Sequence, residues 1–125
     1  MTVTYNHKLG QSAEEAACQF LLAKGLRLLT RNFRCKVGEI DIIMQDQQEI
    51  VFVEVRVRNH PHFADGFDSV DYFKQQKIIK AATYFLCGKN WFDKVNCRFD
   101  VISISYAQAG PAMDWLKDAF TIDNY

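Results

Sequence analysis

Four charged residues alternate along two neighbouring β-prone segments: Glu39 and Asp41 in Glu39–Gln45, and Glu54 and Arg56 in Ile50–Arg58. Asp46-Gln47-Gln48-Glu49 is the polar break between the segments, so the pair reads as an antiparallel hairpin. A loop symmetric about Gln47 and Gln48 sets Asp41 opposite Glu54 and Glu39 opposite Arg56, all on one face. Directly opposed side chains have Cβ atoms about 4.5–5.5 Å apart, and two carboxylates at that spacing repel. A divalent cation between Asp41 and Glu54 would turn repulsion into coordination, and paired carboxylates with water completing the shell suit Mg²⁺ or Mn²⁺. Spacing alone also allows these charges to be solvated cross-strand ion pairs worth well under ~1 kcal/mol each. A loop one residue out of symmetry would move Asp41 to the other face.

The elements that must position these residues follow from periodicity. Ser12–Lys24 carries Ala13, Ala16, Ala17, Phe20 and Leu21 at helical spacing, with Gly25 as a stop. If that helix packs beside the hairpin, Glu14 adds a third carboxylate. Leu26–Arg34, Glu39–Gln45 and Ile50–Arg58 read as successive antiparallel strands, the last with Val51, Val53, Val55 and Val57 as a core-facing row. Asn59–Asp68 has loop composition. A second helix runs from Ser69 or Val70 to Leu86, with Ile78, Ile79, Ala82, Phe85 and Leu86 as its apolar stripe and Gly88 closing it. Arg98–Tyr106 alternates as a strand, Gly110-Pro111 breaks it, and Met113–Phe120 is expected to be a short helical tail.

Composition narrows the class. A chain of 125 residues with 49% hydrophobic content supplies the core of one domain, expected over residues 1–125. There is no apolar run of membrane-spanning length and no signal-peptide core near Met1–Lys8, so a soluble, cytoplasmic protein without a membrane partner is expected. Cys18, Cys35, Cys87 and Cys97 have neither CxxC nor zinc spacing and read as reduced thiols. With 15 basic and 15 acidic residues, a polyanion must be held by a local patch. Arg27, Arg31, Arg34, Lys36, Arg56, Arg58, Lys74, Lys77 and Lys80 are the candidates, and of these Arg31, Arg34, Lys36, Arg58, Lys74 and Lys77 are taken as the nucleic-acid-binding set. His60 and His62, in an HPH loop, read as unliganded. Phe63, Phe67, Tyr72 and Phe73 cluster about that loop, to be buried or to stack on unpaired bases.

Leu9-Gly10, Glu14, Ala17, Gly25, Arg31-Asn32-Phe33-Arg34, Gly38-Glu39-Ile40-Asp41-Ile42-Ile43, Val51-Phe52-Val53-Glu54-Val55-Arg56-Val57-Arg58, Lys74, Ala82 and Arg98-Phe99-Asp100-Val101 occur in one order across most of the chain. In these pieces the sequence resembles the YraN family, bacterial proteins predicted to be endonucleases and similar to archaeal Holliday junction resolvases. The resemblance implies an α/β fold with a restriction-endonuclease-like core, a mixed central sheet flanked by helices. It also implies a variant PD-(D/E)xK site: Asp41 as the aspartate, Glu54 as the acidic residue, Arg56 at the lysine position and Glu14 as the helix-borne glutamate. On that reading Glu14, Asp41, Glu54 and Arg56 are catalytic, and Asp41, Glu54 and Glu14 hold Mg²⁺ or Mn²⁺. The substrate is DNA, branched or otherwise structured, and a homodimer is expected by analogy with the resolvases.

Two positions depart from the family's pattern. Ala13 stands where glycine is usual, which a helix tolerates, and Arg56 replaces lysine. Arginine keeps the charge and can clamp a phosphate with its fork of donors, but it does not release a proton near neutrality. Arg58 and Lys74 are candidates to supply the missing cation, and sequence does not choose between them. Two further readings stay open: a nucleic-acid-binding module without turnover, and an interaction scaffold that never meets nucleic acid.

Overall fold

The computed structural model describes residues 2–58, 70–107 and 109–122, with side chains left undescribed for 2–9 and 107. Along the chain run α1 (Thr2–Ala23), β1 (Arg27–Cys35), β2 (Gly38–Asp46), β3 (Glu49–Arg58), α2 (Tyr72–Gly88), β4 (Asn96–Ala107) and β5 (Gly110–Phe120). The strands form one sheet in the order β1-β2-β3-β4-β5. All neighbours are antiparallel except β3 and β4, which are parallel and joined through α2. This is the expected α/β fold with a mixed sheet. A parallel pair needs a crossover of this length, and a helix supplies it.

Period-two alternation along β3 decides the layering. Val51 and Val53 are buried against Ala13, Ala17, Cys18 and Leu21 of α1, whereas Ile50 and Phe52 are buried against Ile78, Ala81, Ala82, Phe85 and Leu86 of α2. The sheet therefore has a core on each face. Phe52 stacks on Phe99, which stacks on Phe120, so the α2-side core runs outward across β4 to β5. Asp71 caps α2, its carboxylate accepting from the N–H of Lys74 at 2.8 Å.

Two expectations are corrected, and one alternative left open by spacing is decided at Glu54. The α1 helix begins at Thr2, a full ten residues before Ser12. The sheet face carrying Phe52 and Glu54 is not open to solvent, because α2 covers it. Residues Met113–Phe120 form an edge strand and not a helical tail: Met113 and Trp115 pair with Ile104 and Ile102 and pack on the α1-side core. Short-range pattern could not reveal that β4 offered an unpaired edge, and Pro111 is tolerated on the outermost strand. Residues 59–69, including His60, His62, Phe63 and Phe67, lie outside the described residues. Among the described residues no helix is long and apolar enough to cross a membrane.

Candidate active site

The β2–β3 hairpin has the expected register. Asp46 pairs with Glu49 around a two-residue Gln47-Gln48 turn, with Gln47 at φ 56°, and the ladder runs up to Ile42 opposite Val53. The ladder stops there: neither Asp41 with Glu54 nor Glu39 with Arg56 is one of its pairs. Here the strand changes character. Asn32, across from Asp41 on β1, has φ 53°, and Ile40 packs on the α2 side while Ile42 packs on the α1 side. The backbone N–H of Val55 donates to Oδ2 of Asp41 at 2.8 Å, which turns that carboxylate toward β3.

The Asp41 and Glu54 carboxyl groups line the same cavity and are electrostatically coupled. Burial, then the negative charge of Glu54, push Asp41 up to about 8, against the opposing pull of the Val55 N–H. Glu54 is 6% exposed. Its Oε2 meets Nζ of Lys74 at 2.6 Å and Nη1 of Arg56 at 3.7 Å. The cation at the family's lysine position is thus present but distant, while the close ammonium comes from the first turn of α2.

Glu14, on α1, lines a cavity of about 160 Å³ together with Glu39, Asp41, Glu54 and Lys74. Burial raises Glu14 above the usual carboxylate range, with Arg31 pulling it down. Among the described residues no three His, Cys, Asp or Glu side chains close on a common point as a metal-binding group. Glu14 is a neighbour of the Asp41–Glu54 pair in this cavity.

The basic residues divide. Arg34, Lys36, Lys74 and Lys77 line a groove of about 720 Å³ between the β1–β2 turn and α2. Gly38 makes this junction close: a Cβ there would stand 2.8 Å from the backbone oxygen of Lys77. Arg31 instead pairs with Glu15 on α1 at 2.7 Å, and Arg58 pairs with Asp114 on β5. Of the two candidates for the missing cation, the structure therefore brings Lys74 to Glu54 and engages Arg58 elsewhere. The sequence carried the signal for Glu54 and Asp41 in the hairpin. It offered Lys74 only as one of two candidates, because the approach of Lys74 depends on how α2 crosses the sheet. Glu39 and Asn32, beside Asp41, had no assigned role from sequence.

These features define a mixed α/β domain class with a buried Glu54 beside a half-buried Asp41 at the open end of a hairpin, next to a basic groove. The model of the uncharacterised protein family UPF0102 matches residues 13–104, and the chain belongs to that family. It is 42% identical to a UPF0102 protein of Nitrosococcus oceani over 92% of this chain and 93% of the relative. It is 45% identical to one of Pseudomonas putida over 90% and 92%, and 40% identical to one of Coxiella burnetii over 93% and 94%. The membership agrees with the YraN-like resemblance and extends over most of the chain.

Proposed function

We propose that this protein is a metal-dependent endonuclease that hydrolyses phosphodiester bonds in DNA, with branched or structured DNA as substrate, on a restriction-endonuclease-like core. One observation carries the reading: two acidic side chains from adjacent strands line one cavity, with an ammonium 2.6 Å from the buried Glu54, beside a groove lined by basic residues. A surface ion-pair array would not need burial of Glu54 or a carboxyl held at about 8. Burial and the neighbouring Glu54 charge disfavour the ionised form of Asp41, and a bound cation would offset both.

The donor set fits Mg²⁺ or Mn²⁺. Asp41 and Glu54 offer hard oxygen ligands, and a cavity of about 160 Å³ leaves room for the several waters these ions keep. Asp41 and Glu54 would hold the ion, with Glu14 positioned to accept from water in the same cavity. When bound, the cation lowers the pKa of water and offsets charge on a phosphate. Lys74 holds Glu54 in place and adds positive charge where negative charge builds on the substrate. Arg56 supplies fork-shaped donors for a phosphate, a role that arginine performs without losing a proton.

The test is cleavage of labelled branched and linear DNA with Mg²⁺ or Mn²⁺, using the native chain, Asp41→Asn and Arg56→Lys. The expected result is metal-dependent cutting that falls at least about a hundredfold in Asp41→Asn. DNA binding without cutting, converted to cutting by Arg56→Lys, would instead establish a binding module silenced at Arg56; the 3.7 Å gap between Arg56 and Glu54 favours that as the second reading. No salt-sensitive binding at all would leave only the scaffold.

A further inference from the structure

The first turn of α2 sets two aromatic rings in solvent. Phe73 is 77% exposed and Tyr72 55%, and their rings meet edge to face with centroids 6.1 Å apart. A phenylalanine this exposed contributes nothing to the core beneath α2, which is filled by Ile78, Ala82 and Phe85. Phe73 lines the same groove as Arg34, Lys36, Lys74 and Lys77. The acidic residues of that groove are already engaged: Glu39 lies 3.4 Å from Arg34, and Asp71 caps α2. Among the described residues neither Lys36 nor Lys77 has an ion-pair partner, so the groove presents net positive charge beside a bare ring.

We propose that Phe73, braced by Tyr72, is a stacking platform for an unpaired DNA base whose phosphates run past Lys77 and Lys36 toward Lys74. Cations recognise the backbone, which every DNA carries, while a ring face recognises only a base whose own face is free. In a perfect duplex both faces of each base are covered by neighbours. The pairing of charge with an exposed ring therefore selects single-stranded, flapped or distorted DNA without reading its sequence. This deepens the nuclease reading by naming the DNA form that reaches the Asp41–Glu54 pair, and Phe73 acts as a substrate-positioning residue there.

Binding measured in EDTA separates this proposal from cleavage. Fluorescence anisotropy is recorded at low salt for the full chain, Phe73→Ala and Phe73→Trp, with a single-stranded oligonucleotide and a blunt duplex of equal length. Loss of one stacked base corresponds to about fivefold or more in affinity. The expected result is that loss for the single strand in Phe73→Ala, duplex affinity within about twofold, native-like affinity in Phe73→Trp and unchanged thermal melting in both variants. Equal weakening on both DNAs, no weakening on either, or failure of tryptophan to preserve single-strand binding would overturn the platform. If the Mg²⁺ cleavage assay fails while this discrimination holds, the nuclease reading falls and the platform stands.

Discussion

The Nζ of Lys74 lies 2.6 Å from Oε2 of Glu54, so the first turn of α2 is tied to the end of β3 at a buried carboxylate. Arg56, closer in sequence, stands farther off at 3.7 Å. Lys74→Gln leaves Glu54 buried with only the distant guanidinium for company. We expect a loss of about 1–2 kcal/mol, since Lys74 is itself part-exposed and Arg56 remains. The change should nearly vanish in a Glu54→Gln background, as a double-mutant cycle by chemical denaturation would register. Equal losses in the two backgrounds would mean that Lys74 acts through something other than this ion pair. In cleavage, Lys74→Gln should be more damaging than Arg56→Lys.

The raised Asp41 value has a definite sign in stability. Between the unfolded value near 4 and about 8 the folded protein binds the extra proton. Stability from this group is therefore complete at acid pH and declines as pH rises toward 8. Asp41→Asn, with no charge to bury, should melt a few degrees above the native chain at pH 8 in EDTA and lose that advantage near pH 4. Added Mn²⁺ should stabilise the native chain at pH 8 by about 2.7 kcal/mol at a hundred times its dissociation constant, seen as a higher melting temperature, and leave Asp41→Asn unmoved. A native chain whose melting is flat between pH 5 and 8 would count against the raised value at Asp41.

Gly38 and Gly10 give a matched contrast. A methyl at Gly38 meets the Lys77 backbone oxygen at 2.8 Å, whereas one at Gly10 has nothing within 4 Å. Gly38→Ala must push the β1–β2 turn from α2 and should cost about 1–3 kcal/mol, while Gly10→Ala should be neutral or slightly stabilising. Because the displaced turn carries one wall of the basic groove, Gly38→Ala should also weaken DNA binding. Comparison of the two variants by thermal melting and anisotropy checks both statements.

A second buried carboxylate, remote from the cavity, is fully engaged and should behave differently. Asp100, with no exposed surface, accepts from Arg98 Nε, from Trp115 Nε1 at 2.9 Å and from the N–H of Asp118 at 2.9 Å, while Arg98 also reaches Glu49 and Asp46. This network pins β5 and the β2–β3 turn to β4. Asp100→Ala leaves Arg98 with Glu49 and Asp46 but deprives the Trp115 Nε1–H and the Asp118 N–H of their acceptor, and should cost about 1–3 kcal/mol, with metal addition giving no rescue. A loss under about 1 kcal/mol, read by urea denaturation, would show that the network is dispensable.

Local pattern carried the hairpin far. The alternation along β3 and the Gln47-Gln48 turn set the register from Asp46–Glu49 to Ile42–Val53, because a side-chain period of two leaves little freedom once the loop is set; at Asp41 that period breaks, and the Val55 N–H orients the carboxylate. The alanine-rich stripe of α1, the apolar stripe of α2 and the β4 alternation were legible for the same reason: each is a short-range periodicity. The strand nature of Met113–Trp115 was not, since it depends on β4 having an edge to pair with. Nor could sequence tell that α2 would cover the Phe52 face, bury Glu54 and lower Lys74 onto it. Those outcomes depend on where a crossover helix lands relative to a sheet, which is set by the fit of Ile78, Ala82 and Phe85 against Phe52 and by no repeat within either segment. The sequence alone thus determined the hairpin register that brings the two acidic segments together, and tertiary packing decided which cation answers Glu54.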